Sequence, residues 1–534
     1  MDRRGLLKAT GTALGVLGGA QLIGAQSAQA AAAGPVVSVR DFGAVGDGSA
    51  DDTSAFQQAF AAGAGATVLI PPGVYLLTKG MLLAAGTTVS AYGARIVRNS
   101  AACSALVHNV NGNIQVPGYS GPGGLTVLGG TWDMAGAVYT RQTDAMAFAH
   151  ARDILVRDCT IVNVPSAHAI ELNAVRGVRV VDCVFEGLNT AIEKDKEAVQ
   201  ITSATSAANL PAPPYDNTSC ADVLISGCTL RATGTAGYDN FGSLCGDHGG
   251  AVGAVHSGVR VVDNRIEAAT AEAIRVSDWS RAVITGNVIE SARNAGIDVR
   301  SKSPGSPNAL ASILIQGNTI DGVGNADCLS GGITVSGKAT GPITGLVVSG
   351  NVVTGTQGEH GVYIGYAPQA VVSGNSIPGT LRNGKASNCQ AIQLDYSPNS
   401  VLTNNAASGI GGDGLFVNFS DGTLVSGNRV AGCATHGLMA SSNDLVVRNN
   451  LFSGLNTDGA ADKYGIRIGN NAKNVSIQGN LVRRSGGAAD ASAAVGVMAG
   501  SGGTWITGND LRGWGTAAVL DQGSGTVAGT GNLS

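Results

Sequence analysis

Two short segments carry the side chains best suited to acid–base chemistry. Ile274-Arg275-Val276-Ser277 and Ile297-Asp298-Val299-Arg300 lie 23 residues apart, and Asn264 and Asn287 repeat that spacing. Equivalent places on successive turns of a repeat would stack Arg275 directly on Asp298. Arg300 follows two residues on along the same face, with Lys302 in the next turn. An opposite charge about 5 Å away contributes roughly 3 kcal/mol at an effective dielectric of 20. Two such neighbours are expected to depress the Asp298 pKa and keep it ionised. An ionised carboxylate suits a base or nucleophile and is a poor general acid. The structural alternative is an ion-pair ladder between turns, of little net worth.

The protonated partner must come from elsewhere. Asp247 and His248, within LCGDHGG, belong roughly two repeats before Asp298. A separation near ~10 Å, shortened by a bending loop, would let Asp247 act as the acid, tuned or oriented by His248. The same residues could simply shape a turn. Glu171 and Asp395 share the face, but at about four and three repeats they stand too far from Asp298 to pair with it.

What must position these residues is a repeat. RAVITGNVI (281–289), SILIQGNTI (312–320), GLVVSGNVV (345–353) and GTLVSGNRV (422–430) show alternating apolar residues, a Gly-Asn step and a second apolar pair. The step residue is Cys159, Cys183 and Cys228, then Asn264, Asn287, Asn318, Asn351, Asn375, Asn405, Asn428, Asn450, Asn480 and Asn509. A period of 20 to 35 residues with short Val/Ile-rich strands is a solenoid signature, and a propeller blade would need about 40 residues and four strands. The expected fold is all-β: a parallel β-helix of about thirteen coils from residue 126. Each Asn sits at a sharp bend, where left-handed backbone is tolerated, and can bond its amide to the coils above and below.

The composition agrees. The chain has 534 residues, 80 of them Gly, only 13% charged, and a formal charge of −4. The apolar content excludes a disordered chain, and the Gly residues lack a collagen period. Arg3, Arg4 and Lys8 against Asp2 give the first thirty residues +2, leaving about −6 for the rest. No basic footprint for nucleic acid is expected. Residues 1–30, with Arg3-Arg4 before an apolar stretch and Ala28-Gln29-Ala30, read as a twin-arginine signal with a cleavage site. A secreted or extracytoplasmic protein without stable membrane insertion is expected. Cys159, Cys183 and Cys228 share one repeat position and should be buried and reduced, whereas Cys220 and Cys245 are the better disulfide candidates. No Cys/His cluster has zinc spacing, so neither metal nor cofactor is expected.

The N-terminal part, residues 31–125, reads as a cap with the first coils. DFGAVGDGSADDTSAFQQAF (41–60) gives a Gly-Asp-Gly turn, an Asp/Thr/Ser cap and a short amphipathic helix. GATVLIPPGVYLL (65–77) follows as two strands broken by Pro71-Pro72. These segments, with GGTWD (129–133), resemble the pectate-lyase-like superfamily of right-handed parallel β-helix proteins, along essentially the whole chain after the signal. The resemblance implies a right-handed coil with an N-terminal helical cap. It also implies a polysaccharide or oligosaccharide substrate lying in a groove on the coil's side, handled by hydrolases, lyases or epimerases.

The resemblance does not hand over catalytic residues. The only Asp-Asp is Asp51-Asp52 in the cap, DHGG echoes a polygalacturonase His motif loosely, and no Arg-Ile-Lys, Asp-Pro-His or clustered-Asp calcium site is visible. The reading therefore rests on stacking: a glycoside hydrolase with Asp298 as base and Asp247, with His248, as acid, near the 6.5–9.5 Å carboxyl spacing of inverting enzymes. Arg275, Arg300, Lys302, Glu171, Gln200, Tyr363, Asp395 and Trp279 are the substrate-binding candidates. Residues 193–250 read as an insertion forming a binding wall, with Tyr215 and Tyr238 as further aromatic surfaces. Within it EKDKE (193–197) is expected to be a solvated turn, although Glu197 could point into the groove. A lyase or epimerase using the same basic cluster, and a non-catalytic glycan-binding rod, are the alternatives. Oligomeric state is left open.

Overall fold

The computed structural model describes residues 35–110, 115–206, 212–247, 253–301, 310–325, 331–380, 389–457, 462–469, 471–484, 493–514 and 517–534. Short strands with a small apolar side chain at every second position cannot bury themselves singly, and here they stack. The stack has three parallel sheets of nineteen, sixteen and sixteen strands among the described residues. One coil runs through Arg260–Val262 in the first sheet, Arg265–Glu267 in the second and Ile274–Ser277 in the third, after which Trp279–Thr285 opens the next. Registers stay in phase: Ile274 pairs with Ile297, Arg275 with Asp298 and Ser277 with Arg300.

Inward residues form continuous columns. Val261, Ile284, Ile315, Val348 and Val372 succeed one another in the first sheet, all fully buried. Each such side chain contributes about 1.5–3 kcal/mol by leaving water.

The ladder at the bend is as expected in its hydrogen bonds. From Asn264 to Asn509, each Nδ2 donates to Oδ1 of the Asn one coil on at 2.9–3.0 Å. The other Nδ2 hydrogen reaches an earlier carbonyl, as from Asn318 to Ile284 at 3.0 Å. The left-handed residue, however, is not the Asn but the one before it: Gly286, Gly317 and Gly350 have φ of 69°, 63° and 64°. The Asn must keep its side chain inside the stack, so the preceding residue absorbs the turn, which explains the Gly of each Gly-Asn step. The ladder also runs one coil further than read, to Asn532.

The stack is longer than thirteen coils. Val36–Ser38, Thr67–Leu69, Thr88–Ser90 and Leu125–Leu128 precede the repeats in the first sheet, and Val527–Ala528 follows them. These N-terminal coils are the first coils expected within residues 31–125, where the asparagine ladder has not yet begun. The helix Thr53–Ala62 buries Ala55, Phe56, Ala59 and Phe60 along one stripe in the same core. Asp52 stands at its N-cap position, where its carbonyl accepts the Phe56 N–H at 3.0 Å but its side chain makes no bond to the helix. Its carboxylate instead accepts the N–H groups of Val45 and Gly46, which holds the Gly-rich turn.

Residues 193–250 are not one loop. Glu197–Thr202, Ala221–Ser226, Thr229–Arg231 and Ser243–Gly246 are strands of the stack, and only the turns between them are long. Cys220 and Cys245 are both free and buried, so the expected disulfide is absent. The Cys220 thiol instead faces the carbonyls of Leu172 and Thr202.

Candidate functional site

The third sheet presents two adjacent columns. One is the outward row Glu171, Gln200, Gly246, Arg275, Asp298, Thr334, Tyr363 and Gln393, each in register with the next. The other stands at the strand entrances, two residues before the first inward aliphatic residue. It holds Asp144, His168, Glu197, Ser243 and Glu272 on successive coils. Long charged side chains on one column can therefore reach across to the other.

They form an alternating chain of charge. His168 Nε2 lies 3.7 Å from Glu197 Oε2, and Glu197 Oε1 accepts from Arg275 Nη1 at 3.0 Å. Arg275 Nη2 donates to Glu272 Oε2 at 2.8 Å. Arg300 Nη2 donates to Glu272 Oε1 at 2.8 Å, and its Nε to the Asp298 carboxylate. Glu197 is two coils before Arg275, and the contact exists because Gly246 stands between. A Cβ at Gly246 would come within 2.8 Å of the Arg275 Cβ and 2.9 Å of its carbonyl oxygen. The glycine is a window through which the guanidinium passes.

Burial decides the protonation states. Asp298 is 1% exposed, and burial raises its pKa to about 6 against the opposing pull of Arg300 and Arg275. The sequence expectation of a depressed pKa is thus corrected. Arg275 stacks on Asp298 in register but spends its hydrogen bonds on Glu197 and Glu272, and desolvation outweighs what remains. Glu272 behaves oppositely: burial works to raise it, but Arg275, aided by Arg300, holds it below the ordinary carboxylate value. Burial likewise acts to lower Arg275, and Glu197 and Glu272 outweigh it, so the guanidinium is held charged.

Several buried oxygens here have no hydrogen-bond partner: Asp298 Oδ1, Glu171 Oε1, Gln200 Oε1, Thr202 Oγ1, Ser243 Oγ and Ser277 Oγ. Such atoms cost about 1–3 kcal/mol each unless water, an ion or a substrate meets them.

The remaining expected site residues fall as follows. Asp247 is buried and accepts the indole N–H of Trp279, which is 0% exposed in the core. Asp247 is therefore turned inward and Trp279 offers no surface to a sugar, which corrects both readings. His248 and Lys302 lie outside the described residues. Glu171 and Gln200 are on the face but buried. Tyr363 is half-buried and stacked on His360, with ring centroids 5.4 Å apart. Burial raises its pKa, and Asp395 adds to this. Asp395 accepts from Gln393 Nε2 at 2.7 Å and Asn418 Nδ2 at 2.9 Å. Past it, Tyr366, Tyr396 and Phe419 stack at 4.7 and 4.8 Å with the last two exposed, a ladder the sequence reading passed over.

Glu272, His168 and Asp144 were also passed over. The signal was present: HAIELN, EAVQIT and EAIRVS each open with a charged or imidazole residue two before the aliphatic one. The two-residue alternation marks outward positions within a strand and does not extend to the entrance before it. EKDKE is accordingly not all solvated turn, since Glu197 is fully buried. Asp144, His168 and Glu171 are the described residues that could hold a metal, with one ligand atom from each lying within 4.8 Å of the others.

The family model described as right handed beta helix region matches residues 138–342 and 308–511. The chain belongs to the right-handed β-helix family. Its right-handed β-helix begins in a segment, residues 36–114, that matches a second family model, described as rhamnogalacturonase A/epimerase, pectate lyase-like. No protein of curated function matches the chain in sequence. Among solved structures, this right-handed β-helix is similar to PfbA, a surface adhesin of Streptococcus pneumoniae, at 19% identity and TM-score 0.55, covering 79% of this chain and 92% of that one. It is less similar to a family 28 exopolygalacturonase of Yersinia enterocolitica, at 11% identity and TM-score 0.37 over 92% and 78% of the two chains. The A-module of the Azotobacter vinelandii mannuronan C-5 epimerase AlgE6 gives 15% identity and TM-score 0.31 over 93% and 99%. At 19% identity the likeness to the adhesin is one of fold.

Proposed function

We propose that this β-helix is a carbohydrate-active enzyme, a glycoside hydrolase that cleaves a polysaccharide on the outward face of the third sheet. The observation that carries the reading is a pair of carboxyls with opposed protonation held by one guanidinium. Asp298 keeps its proton up to about pH 6 and has an oxygen with no partner, whereas Glu272 is held ionised. Two carboxyls pushed apart in pKa are what an acid and a base require. Asp298 is the acid that protonates the leaving oxygen, and Glu272 the base that activates water, which reverses the role first read for Asp298. Arg300, with its side chain 40% exposed, is the member of the set that reaches solvent. It turns outward to a hydroxyl or carboxylate of the sugar and so uncovers the pair. Tyr363 and Asp395 extend the groove two and three coils on. The twin-arginine segment at residues 1–30 would deliver the protein outside the cytoplasm, where such polymers are met, and no helix among the described residues is long and apolar enough to cross a membrane.

The test is a screen of uronate, neutral-hexose and fructose polymers, following reducing ends and the ultraviolet absorbance of unsaturated sugar. Reducing ends without absorbance are expected. Asp298→Asn should lower kcat about 10²–10⁴-fold. The wild-type rate should fall above pH about 6 as Asp298 loses its proton, and fall in acid as Glu272 gains one. Absorbance growing with product would instead make the protein a lyase, and binding without turnover would make it a glycan-binding rod.

A further inference from the structure

Four coils before Asp298, the strand entrances bring an imidazole between carboxylates. His168 Nδ1 lies 3.1 Å from Asp144 Oδ1 and 3.3 Å from Glu171 Oε2. A tetrahedral first-row ion with bonds of about 2.0–2.1 Å sets its ligand atoms roughly 3.3 Å apart, so these separations suit a shared coordination shell. On its other side, His168 Nε2 faces the buried Glu197 at 3.7 Å. That separation is an ion-pair contact rather than a hydrogen bond; a carboxylate on this side of the ring favours the proton on Nε2 and leaves Nδ1 for a ligand.

Two further observations point to a ligand. Glu171 is 2% exposed, and its Oε1 has no hydrogen-bond partner. Gln200, in register with Glu171 on the next coil and 4% exposed, likewise has an unpartnered Oε1. Neither oxygen can be left dry without cost, and both are on the face where the carboxylates converge. Two carboxylates, Asp144 and Glu171, converge on one imidazole nitrogen, where a dication would replace the proton that His168 holds between them in its absence. Asp144 is partly exposed, with 19% of its side chain accessible, and opens a way in.

We propose that Asp144, His168 and Glu171 bind a divalent transition cation, with the Gln200 amide oxygen completing the shell and Glu197 orienting the imidazole. One nitrogen and three oxygens suit Zn²⁺ or Mn²⁺ better than a thiolate-seeking ion. The site is separate from the acid and base of the proposed hydrolase, and it acts on them only by fixing Glu197 and, through it, Arg275.

The test uses the full chain, stripped with a chelator and dialysed against Zn²⁺ or Mn²⁺, with bound metal measured per chain and the thermal midpoint recorded beside it. Mn²⁺ discriminates against the buried thiols. One ion per chain and a raised midpoint are expected, with Glu171→Gln and Asp144→Asn each weakening binding at least tenfold. Gln200→Glu, which adds a carboxylate, should tighten it, so the proposal stays exposed even where a loss variant folds poorly. Asp413→Asn, at a similar Asp–His pair without the glutamates, should bind like wild type. Absence of stoichiometric binding would show that His168 merely carries a proton between the carboxylates and would overturn the site. So would binding that survives Glu171→Gln. Because no substrate is involved, either result stands apart from the hydrolase assay.

Discussion

At Asp144 and His168, the carboxylate accepts the backbone N–H of the histidine one coil on at 3.0 Å. At Asp413 and His436 the same contact is made at 3.1 Å, at the same place before the third-sheet strand. Three residues beyond His168 is Glu171, and the next coil brings Glu197. Beyond His436 is Met439, and the next coil brings Tyr464, whose ring stacks on the imidazole and whose N–H donates to Nδ1 at 2.9 Å. The consequences diverge. Burial acts to lower the His168 pKa, but Asp144 and Glu171 outweigh it and raise it to about 10. Burial lowers that of His436 and prevails over Asp413. The Asp–His step is therefore an architectural device for starting a strand. What makes one copy a charged trap is supplied by Glu171 on the same coil and Glu197 on the next.

The largest expected contrast concerns the cation that closes the charged copy. Arg275→Met removes the cation shared by the buried Glu197 and Glu272, leaving Glu272 to Arg300 alone, and should cost about 3–5 kcal/mol in a urea unfolding curve. Arg467→Met, one coil beyond Met439 in the outward row, should stay within about 0.5 kcal/mol. Equal losses at the two positions would erase the distinction.

Acidity separates the two histidines with opposite signs, in metal-free protein. The His168 contribution is fully present below the unfolded value near 6.5 and is lost as pH rises through about 10. His168→Ala should accordingly lower the thermal midpoint more at pH 6 than at pH 10. His436 binds its proton less readily when folded, so its contribution is present above about 6.5 and is lost in acid. His436→Gln should flatten the loss of midpoint between pH 7 and 5. A pH-independent effect at both sites would contradict the assignment.

A smaller effect sharpens the geometry. Gly246→Ala presses a methyl on the Arg275 backbone and should cost about 1–3 kcal/mol. Gly469→Ala meets chiefly the Ser441 hydroxyl and the tip of Arg467, which can move aside, and should cost less. The midpoint difference between the two variants measures how much of the charged region depends on that window.

The coil was legible in the sequence because its determinants are local and repeated: the inward aliphatics, the Gly-Asn step and the in-phase spacing that set Arg275 over Asp298. The site was legible only in part. Stacking located Asp298, Arg300 and Arg275 on one face, yet the pKa of Asp298 depends on how deeply it is buried, which spacing does not reveal. Asp247 looked available because its neighbours are glycines, but the indole that claims it is 32 residues away. Glu272 was hidden by standing in a turn, where a charge ordinarily meets water.

The asparagine ladder has a bearing on descent. Its rungs keep one geometry while successive Asn residues are separated by anything from 22 to 33 positions in sequence. All of that variation is taken up in the turns, outside the amide column. An insertion or deletion in a turn therefore leaves the neighbouring coils undisturbed, and a lineage can recut the outer turns without refolding the core. The asparagines behave as a fixed spine on which the outer contour is free to drift.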